Sequence, residues 1–536
     1  MRTLTQQEIT TLTSQGCSSR HWEDILVTDD FQTGEIWHTH FSGKIALHSH
    51  VRIFNSTLEA TSRSSFGQGT QVNVLDETGG RSVLIHSGLS SQFAYLQCLW
   101  RYQEQAISSL QTLIKEHLAS VSPDIMTIET KSSITNCRML RDVCVGEGAS
   151  LVATDYLEDG TVMRDSTIGP SVIARHFIVS SSSEVTDAAQ LNNVFVGNNV
   201  KIGGGFTADH SLFFTGCEMF HGEACAYFGG PFSVSHHKNT LLIACMTSFF
   251  NAGSGTNFSN HLYKSGPIHY GILRRGCKMA SDAHLIFPSH VAPFTTIFGE
   301  PEPFQDTSRF PFSYLSPRGI KAGINIFRLS PYRDQRKWKK RYTPTSESLG
   351  DLLHFDAFSP YTVEPVRTND CQNEFYSSLL YIYASRYART GVSPSLEQWD
   401  DIGGMMTPHS VMLDLMNRLA AGDVKTLAQF QDELRRIHDN YDTFNAQYAT
   451  ALACHLLGTN DLTSHDLTTL RAKARHFCSL RDETVIADAL KEFTPPISSV
   501  TFGSDADSET SKSEFSLLRG NFDEQSILDL LRDSNS

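Results

Sequence analysis

Apolar residues in this chain change their spacing several times along its length. Near the start Thr5 and Glu8 form a capping-box pattern, Ile9 and Leu12 follow, and Gly16 stands where a helix would stop, which predicts a short leading helix. From about Phe41 to Ile85 the pattern shifts to brief apolar pulses, Ile45, Val51, Ile53, Leu58, Phe66, Val72, Val74, Val83 and Ile85, separated by Gly, Ser, Asn and Thr. Short strands with tight corners read this way. Between about Ser90 and Ser120, Phe93, Leu96, Trp100, Leu110, Leu113 and His117 fall at helical spacing, so a helix interrupts the strands. The pulses return at Ile134 and run to about Phe298, with an aliphatic residue before glycine at Val145-Gly146, Ile168-Gly169, Val196-Gly197 and Ile202-Gly203. The last two pairs are six residues apart, the repeat of a parallel β-helix whose stacked coils share one core. The run LVATDYLEDGTVM breaks that register, and a sandwich or jelly roll of similar short strands would give some of the same pulses.

Beyond a Pro-rich exit at Pro301 to Pro311 the spacing becomes helical. A basic cluster, Arg333, Arg336, Lys337, Lys339, Lys340 and Arg341, reads as a solvated face ahead of an anion site. Leu427, Phe430, Leu434, Ile437, Tyr441, Phe444 and Tyr448 predict one long apolar stripe. Shorter stripes at Phe375 to Tyr383, Val411 to Leu419 and Leu467 to Phe477 complete an antiparallel helical bundle. The expected organisation is a helical lead over 1–34, a β-helix over 35–330 with its helical insertion at about 90–120, a helical domain over 345–492, and a flexible tail over 493–536 with a short helix at Ile527 to Leu531.

The chain has 536 residues, 40% apolar and 19% charged, enough to bury a large core in two or three domains. Its 44 Lys and Arg against 58 Asp and Glu give a formal charge of −14, which disfavours nucleic acid as the main partner. No apolar run approaches the length of a membrane span and MRTLTQQEIT lacks a secretory core, so a cytoplasmic protein is expected. The 11 cysteines have no CxxC pair, which fits reduced, mostly buried thiols.

Polar chemistry concentrates between His210 and His290, where His210, His221, His236, His237, His261, His269, His284 and His290 occur with Glu223, Lys238, Asn251, Asn257, Asn260 and Lys264. Buried titratable and amide groups need partners, so such density suggests a site, although any single histidine is more often structural. On one strand His236 and His237 would face opposite ways, with His236 on the apolar, inward side and His237 toward an outer pocket. His221 precedes His237 by 16 residues, near the roughly 18 of a three-sided hexapeptide coil, so the two would stack on adjacent coils. The glycines around Ser254 in NAGSGTN would offer backbone N–H groups to an anion or an oxyanion, or would simply make a turn.

At these residues the chain resembles a bacterial family known as a domain of unknown function, built on a left-handed parallel β-helix with a helical C-terminal extension. The motifs are ETGGR at Glu77 to Arg81, HGEACA at His221 to Ala226, SHHK at Ser235 to Lys238, NAGSGTN with SNH at Asn251 to His261, YKSGPIH at Tyr263 to His269, PFSYL at Pro311 to Leu315 and RDQRKW at Arg333 to Trp338. The repeat segment before Ser90 is shorter than that pattern leads one to expect. The resemblance implies a left-handed β-helix of the hexapeptide-repeat kind, commonly trimeric. By analogy with that wider architecture, the leading expectation is an acyltransferase that moves an acyl group from coenzyme A to a hydroxyl or amine of a sugar-like acceptor. His237, His261 or His269 would act as the base, and His221, Glu223, His236, Lys238, Asn251, Ser254, Asn257, Asn260 and Lys264 would bind substrate or cofactor. A sugar-nucleotide-like ligand is compatible with this, but no glycine-rich nucleotidyl loop occurs. The alternatives are a trimeric scaffold without catalysis and, third, a histidine-metal enzyme resembling the β-helical carbonic anhydrases. For that last class no histidine pair has the close ligand spacing, so no metal ligands are assigned.

Overall fold

A computed structural model describes residues 1–61, 64–75, 81–259, 270–342, 350–369, 371, 373–475 and 477. The chain is a parallel β-solenoid of about 16 turns followed by a helical region over 374–475. Leu140, Leu157, Ala174, Leu191 and Ala208 are successive partners in a parallel ladder, which sets the coil at 17 residues where hexapeptides would give 18. Each coil has three sides. The strand Ser150–Val152 makes one, and Tyr156–Val162 makes the other two by bending at Asp159, where φ is 46°. Inward columns fill the core, as with Ile134, Leu151, Ile168, Val185, Ile202 and Met219, stacked in register and fully or almost fully buried.

The first helix, Gln6–Ser14, carries the expected capping box between Thr5 and Glu8, and Gly16 follows it at φ 79°. The insertion holds two helices, Ser91–Leu99 and Glu104–Val121, preceded by a hairpin of Gln71–Asn73 with Ser82–Leu84. It is clipped to one corner of the solenoid by a ladder of left-handed residues, Asp142, Asp159, His176, Asn193 and His210. Asp142 accepts from the N–H and the hydroxyl of Thr61 at 2.6 Å, Asp159 accepts from Ser64 at 2.6 Å and the Gly67 N–H at 3.1 Å, and His210 Nδ1 accepts from the Asn73 N–H at 3.3 Å. Thus His210 is an anchor for the insertion.

The clip holds the insertion over one outer face that would otherwise be wet and apolar. Ile178, Phe195, Leu212, Phe228 and Met246 project outward there in register from successive coils, yet each is buried. They share a core with the inserted helices and with helices His409–Ala420 and Leu427–Asp439. Covering each such side chain contributes roughly 1.5–3 kcal/mol, so the cover and the solenoid stabilise each other.

A second seam forms at the corner where Phe232, Phe249, Phe294 and Phe312 all take left-handed φ values of 50 to 57°. Phe232 stacks on Phe249 at 5.7 Å and Phe294 on Phe312 at 5.0 Å, and Trp338 lies 4.8 Å from Phe249. Helices Pro360–Arg367, Glu374–Tyr387 and Tyr441–Leu457 share that aromatic core. The long stripe from Leu427 to Tyr448 is therefore two helices, broken at Asn440, which ends one and starts the next, and their faces serve different cores. The basic cluster lies on helix Leu329–Arg341 and is partly paired, with Arg341 on Glu218 and Lys339 3.8 Å from Asp356. The tail over 493–536 lies outside the described residues.

Candidate functional site

Among the described residues, the expected site does not gather. His221 is exposed, and its Nδ1 donates to the Gly204 carbonyl at 2.8 Å. Glu223, His237, Lys238, Asn251 and Ser254 are also exposed. His236 faces outward, not inward, because the left-handed corner at Phe232 resets the alternation. Ser235 takes the inward slot in register with Met219, and His236 pairs with Glu218 at 2.6 Å. That bond, aided by Arg341, holds the Glu218 carboxyl below its ordinary range against the effect of burial. His236 lies 5.6 Å from the Phe220 ring, while no ring contact joins His221 to His237. In NAGSGTN the glycines serve close stacking, since a Cβ at Gly253 would come 2.6 Å from the Met279 carbonyl oxygen. Asn257 is half-buried, with its Oδ1 lacking a partner among the described residues. Asn260, His261, Lys264 and His269 lie outside the described residues. No group of three His, Cys, Asp or Glu among the described residues is placed to hold a metal ion.

Chemistry converges instead where the covered apolar face turns polar. Met246, Ile272 and His290 are successive outward residues in register, and a parallel bridge continues the column from His290 to Asp306. Tyr270 lies 6.1 Å from the His290 ring, and Arg81 places its guanidinium 4.0 Å over Tyr270. Arg274, two residues beyond Ile272 on the same outward side, donates to the Tyr361 hydroxyl at 2.7 Å. Tyr361 belongs to helix Pro360–Arg367, and Tyr95 of the inserted helix lines the same small cavity of about 40 Å³ with Ile272, Arg274 and Tyr361. That volume suits only a few waters. Burial raises the hydroxyl pKa values of Tyr95 and Tyr361, so both stay protonated at neutral pH.

His290 is the titratable centre of this group. Burial lowers its pKa, the charges of Arg274 and Arg81 lower it further, and Asp306 opposes them in part. A neutral imidazole results at pH 7, and neither ring nitrogen has a hydrogen-bond partner among the described residues. An unengaged neutral imidazole can accept a proton from a bound hydroxyl or amine.

Beneath it, Arg275 makes the floor rigid. Its Nε donates to Asp401 Oδ2 at 2.8 Å and its Nη2 to Oδ1 at 3.3 Å, and further bonds at 3.0 Å reach the carbonyls of His354 and Gly404. The ion pair is almost fully buried and ties the hairpin of Trp399–Ile402 with Met405–Pro408 to the solenoid. His354 stacks on His438 at 4.4 Å and on Tyr441 at 4.1 Å, extending the lock into the helices.

Sequence reading missed Arg274, Arg275, Tyr361 and Asp401 and did not single out His290. One signal was present. The residue before the left-handed corner is Thr215, Pro231, Ser248, Pro293 and Pro311 in neighbouring coils, and arginine at 275 breaks that set. The doublet Asp400-Asp401 inside an otherwise apolar hairpin was its counterpart.

Two families of unknown function account for this sequence. The Domain of unknown function (DUF4954) matches residues 1–57 and 48–373, which include the whole solenoid and His290, while Asp401, Gly403 and Gly404 of the small cavity lie beyond it. This chain belongs to the DUF4954 family. A second Domain of unknown function (DUF6819) matches residues 386–535 of the helical region. An uncharacterised protein of Treponema pallidum (strain Nichols) is 24% identical over 219 residues, and the match spans 30% of each chain. A solved structure from Desulfovibrio desulfuricans G20, described as a "putative acetyltransferase", aligns with 59% of this chain and 81% of its own at 8% identity and a TM-score of 0.13. At that score it carries no argument. No helix among the described residues is long and apolar enough to cross a membrane.

Proposed function

We propose that this protein is an acyltransferase of the hexapeptide-repeat kind, moving an acyl group from a coenzyme A thioester to a hydroxyl or amine of a sugar-like acceptor. The observation that carries the reading is the half-buried imidazole of His290 on the outer face of a β-solenoid, beside the Tyr270 ring at 6.1 Å, held neutral by burial, with no hydrogen bond to its ring nitrogens among the described residues. His290 takes the acceptor proton as the acceptor oxygen or nitrogen attacks the thioester carbon. The oxyanion formed there is stabilised by the Arg274 guanidinium. Collapse breaks the carbon–sulfur bond, and the imidazolium returns its proton to the leaving thiolate. His269, the residue before Tyr270, is a further candidate for the base, as are His261 and His237, and Lys264 and Asn260 belong to the same segment as His261. A cytoplasmic homotrimer goes with this reading by analogy of fold, and sedimentation measures the assembly.

Thiol release from acetyl-coenzyme A, measured with sugars, sugar phosphates and sugar amines as acceptors, tests the proposal. Acceptor-dependent release that falls by about 100-fold or more in His290→Asn, with the fold intact by circular dichroism, supports it. Absence of release with every acceptor, or full activity in His290→Asn, overturns it. A scaffold is the second reading, favoured by the exposed, locally paired His221 and His236.

A further inference from the structure

We propose that the cavity between helices Leu329–Arg341, Glu374–Tyr387 and Tyr441–Leu457 binds a small zwitterion of the amino-acid class, with Arg389 taking its carboxylate and Asp442 its ammonium group. The site is separate from the His290 pocket and does not depend on acyl transfer.

The cavity measures about 330 Å³, within the range of small-molecule sites, whereas the one beside Arg274 holds about 40 Å³. Tyr332 and Lys339 line it from the first helix, Tyr387 from the end of the second, and Asp442 and Asn445, three apart on one face, from the third. Arg389 is fixed to that third helix through its backbone, since its N–H donates to the Thr450 hydroxyl at 3.1 Å and its carbonyl accepts from the same hydroxyl at 3.1 Å. Its Nη1 donates to the carbonyls of Arg386 at 2.8 Å and Ala388 at 3.0 Å, which orients the guanidinium and leaves Nε and Nη2 without a partner among the described residues.

Asn445 points to a ligand. It is only 4% exposed, its Oδ1 accepts from the Tyr383 hydroxyl, and its Nδ2 has no partner among the described residues although the residue lines the cavity. A buried amide donor left open is costly unless something in the cavity accepts from it.

The charges choose between ligand classes. Lys339 stands 3.8 Å from Asp356, which also accepts from Gln335 at 3.3 Å, so these two charges answer each other. Arg389 and Asp442 are left, both lining the cavity and neither in an ion pair among the described residues. A plain anion that met Arg389 would be repelled by Asp442, and a plain cation would suffer the reverse. A molecule carrying both charges satisfies both. Asp442 stands in the first turn of its helix, where the helix field keeps a carboxylate ionised. Burial pushes the Tyr387 hydroxyl up to about 12, so it remains a donor at neutral pH. Tyr332 and Phe358, edge to face at 5.7 Å, offer an apolar wall to the ligand's side chain.

Differential scanning fluorimetry of the full-length chain with each common L-amino acid finds the strongest binder, and isothermal titration compares it with its decarboxylated amine and its deaminated acid. At least one amino acid binds, and both analogues bind about ten-fold more weakly or worse. Arg389→Gln and Asp442→Asn each weaken the amino acid by about ten-fold, while Arg164→Gln on the solenoid leaves it unchanged. Both substituted side chains are exposed, so the fold survives either change. No shift with any amino acid, or equal affinity in wild type and either variant, overturns the site. An analogue of either kind that binds as tightly as the amino acid also overturns it, because one of the two charges would then have no part in recognition.

Discussion

The corner that carries His221, His236, His237 and Lys238 and the pocket that carries Tyr270, Arg274 and His290 are built on the same solenoid, yet they differ in one physical respect. The first is bare. Its groups meet water, and those that bond do so with a coil neighbour, as His221 does with Gly204 and His236 with Glu218. The second is partly covered, with Arg81 of the insertion over Tyr270 and Tyr361 of helix Pro360–Arg367 bonded to Arg274, so charge acts on the half-buried His290 through a medium less polar than water. Clustering along the sequence supplied the groups of the bare corner, whereas those of the second come from separate parts of the chain; cover decided which of them acquired perturbed chemistry.

The comparison breaks most readily at the floor of the pocket. Asp401→Asn leaves Arg275 buried without its counter-charge and should destabilise the protein by about 3–5 kcal/mol, read as a large fall in the unfolding midpoint. Arg341→Ala, which removes a partly exposed pair with Glu218 beside the bare corner, should cost about 1 kcal/mol or less in the same measurement. If the two losses are equal, cover does not matter in the way described. Next in size is the aromatic seam. Phe249→Ala opens a cavity between Phe232 and Trp338 and should cost about 3 kcal/mol, with release of the helical region visible as faster amide exchange over Glu374–Tyr387.

Acid sharpens the contrast further. Burial, with the charge of His117, lowers His86 to about 3, from the ordinary 6.5. The unfolded chain then binds more protons than the native one below pH 6.5, so native stability falls with pH through the window from 6.5 to about 3. Urea unfolding at pH 7 and pH 5 should show this loss in wild type and a smaller loss in His86→Gln. An equal pH dependence in the variant would remove His86 from the account. At the small end, His237→Ala and Lys238→Ala should change stability by under about 0.5 kcal/mol. Should His237→Ala abolish thiol release while His290→Asn does not, the bare corner becomes the working region.

Much of the fold was legible because it rests on local spacing. Pulses such as Ile168-Gly169 and Ile202-Gly203 mark the inward column and its corner, and these are packing rules that a single strand carries with it. The coil length was less legible, since 17 and 18 residues differ by one corner residue and the repeats contain both. The site was hardly legible at all. Arg81, Tyr95, Arg274, His290 and Tyr361 come from separate parts of the chain, and no spacing relates them. The inward–outward assignment of His236 failed for a local reason, the left-handed Phe232, which no alternation rule anticipates for a bulky residue.

Most direct for the central claim is the titration of His290 itself, followed by nuclear magnetic resonance of ring-labelled histidines with His290→Asn to assign the signal. A midpoint below the ordinary 6.5, moving upward in Arg274→Gln, is the result expected of an imidazole held neutral by burial and by the charge of Arg274. A midpoint at or above 6.5 that Arg274→Gln leaves unchanged would show that cover does not shape the chemistry of His290, and the account would fail.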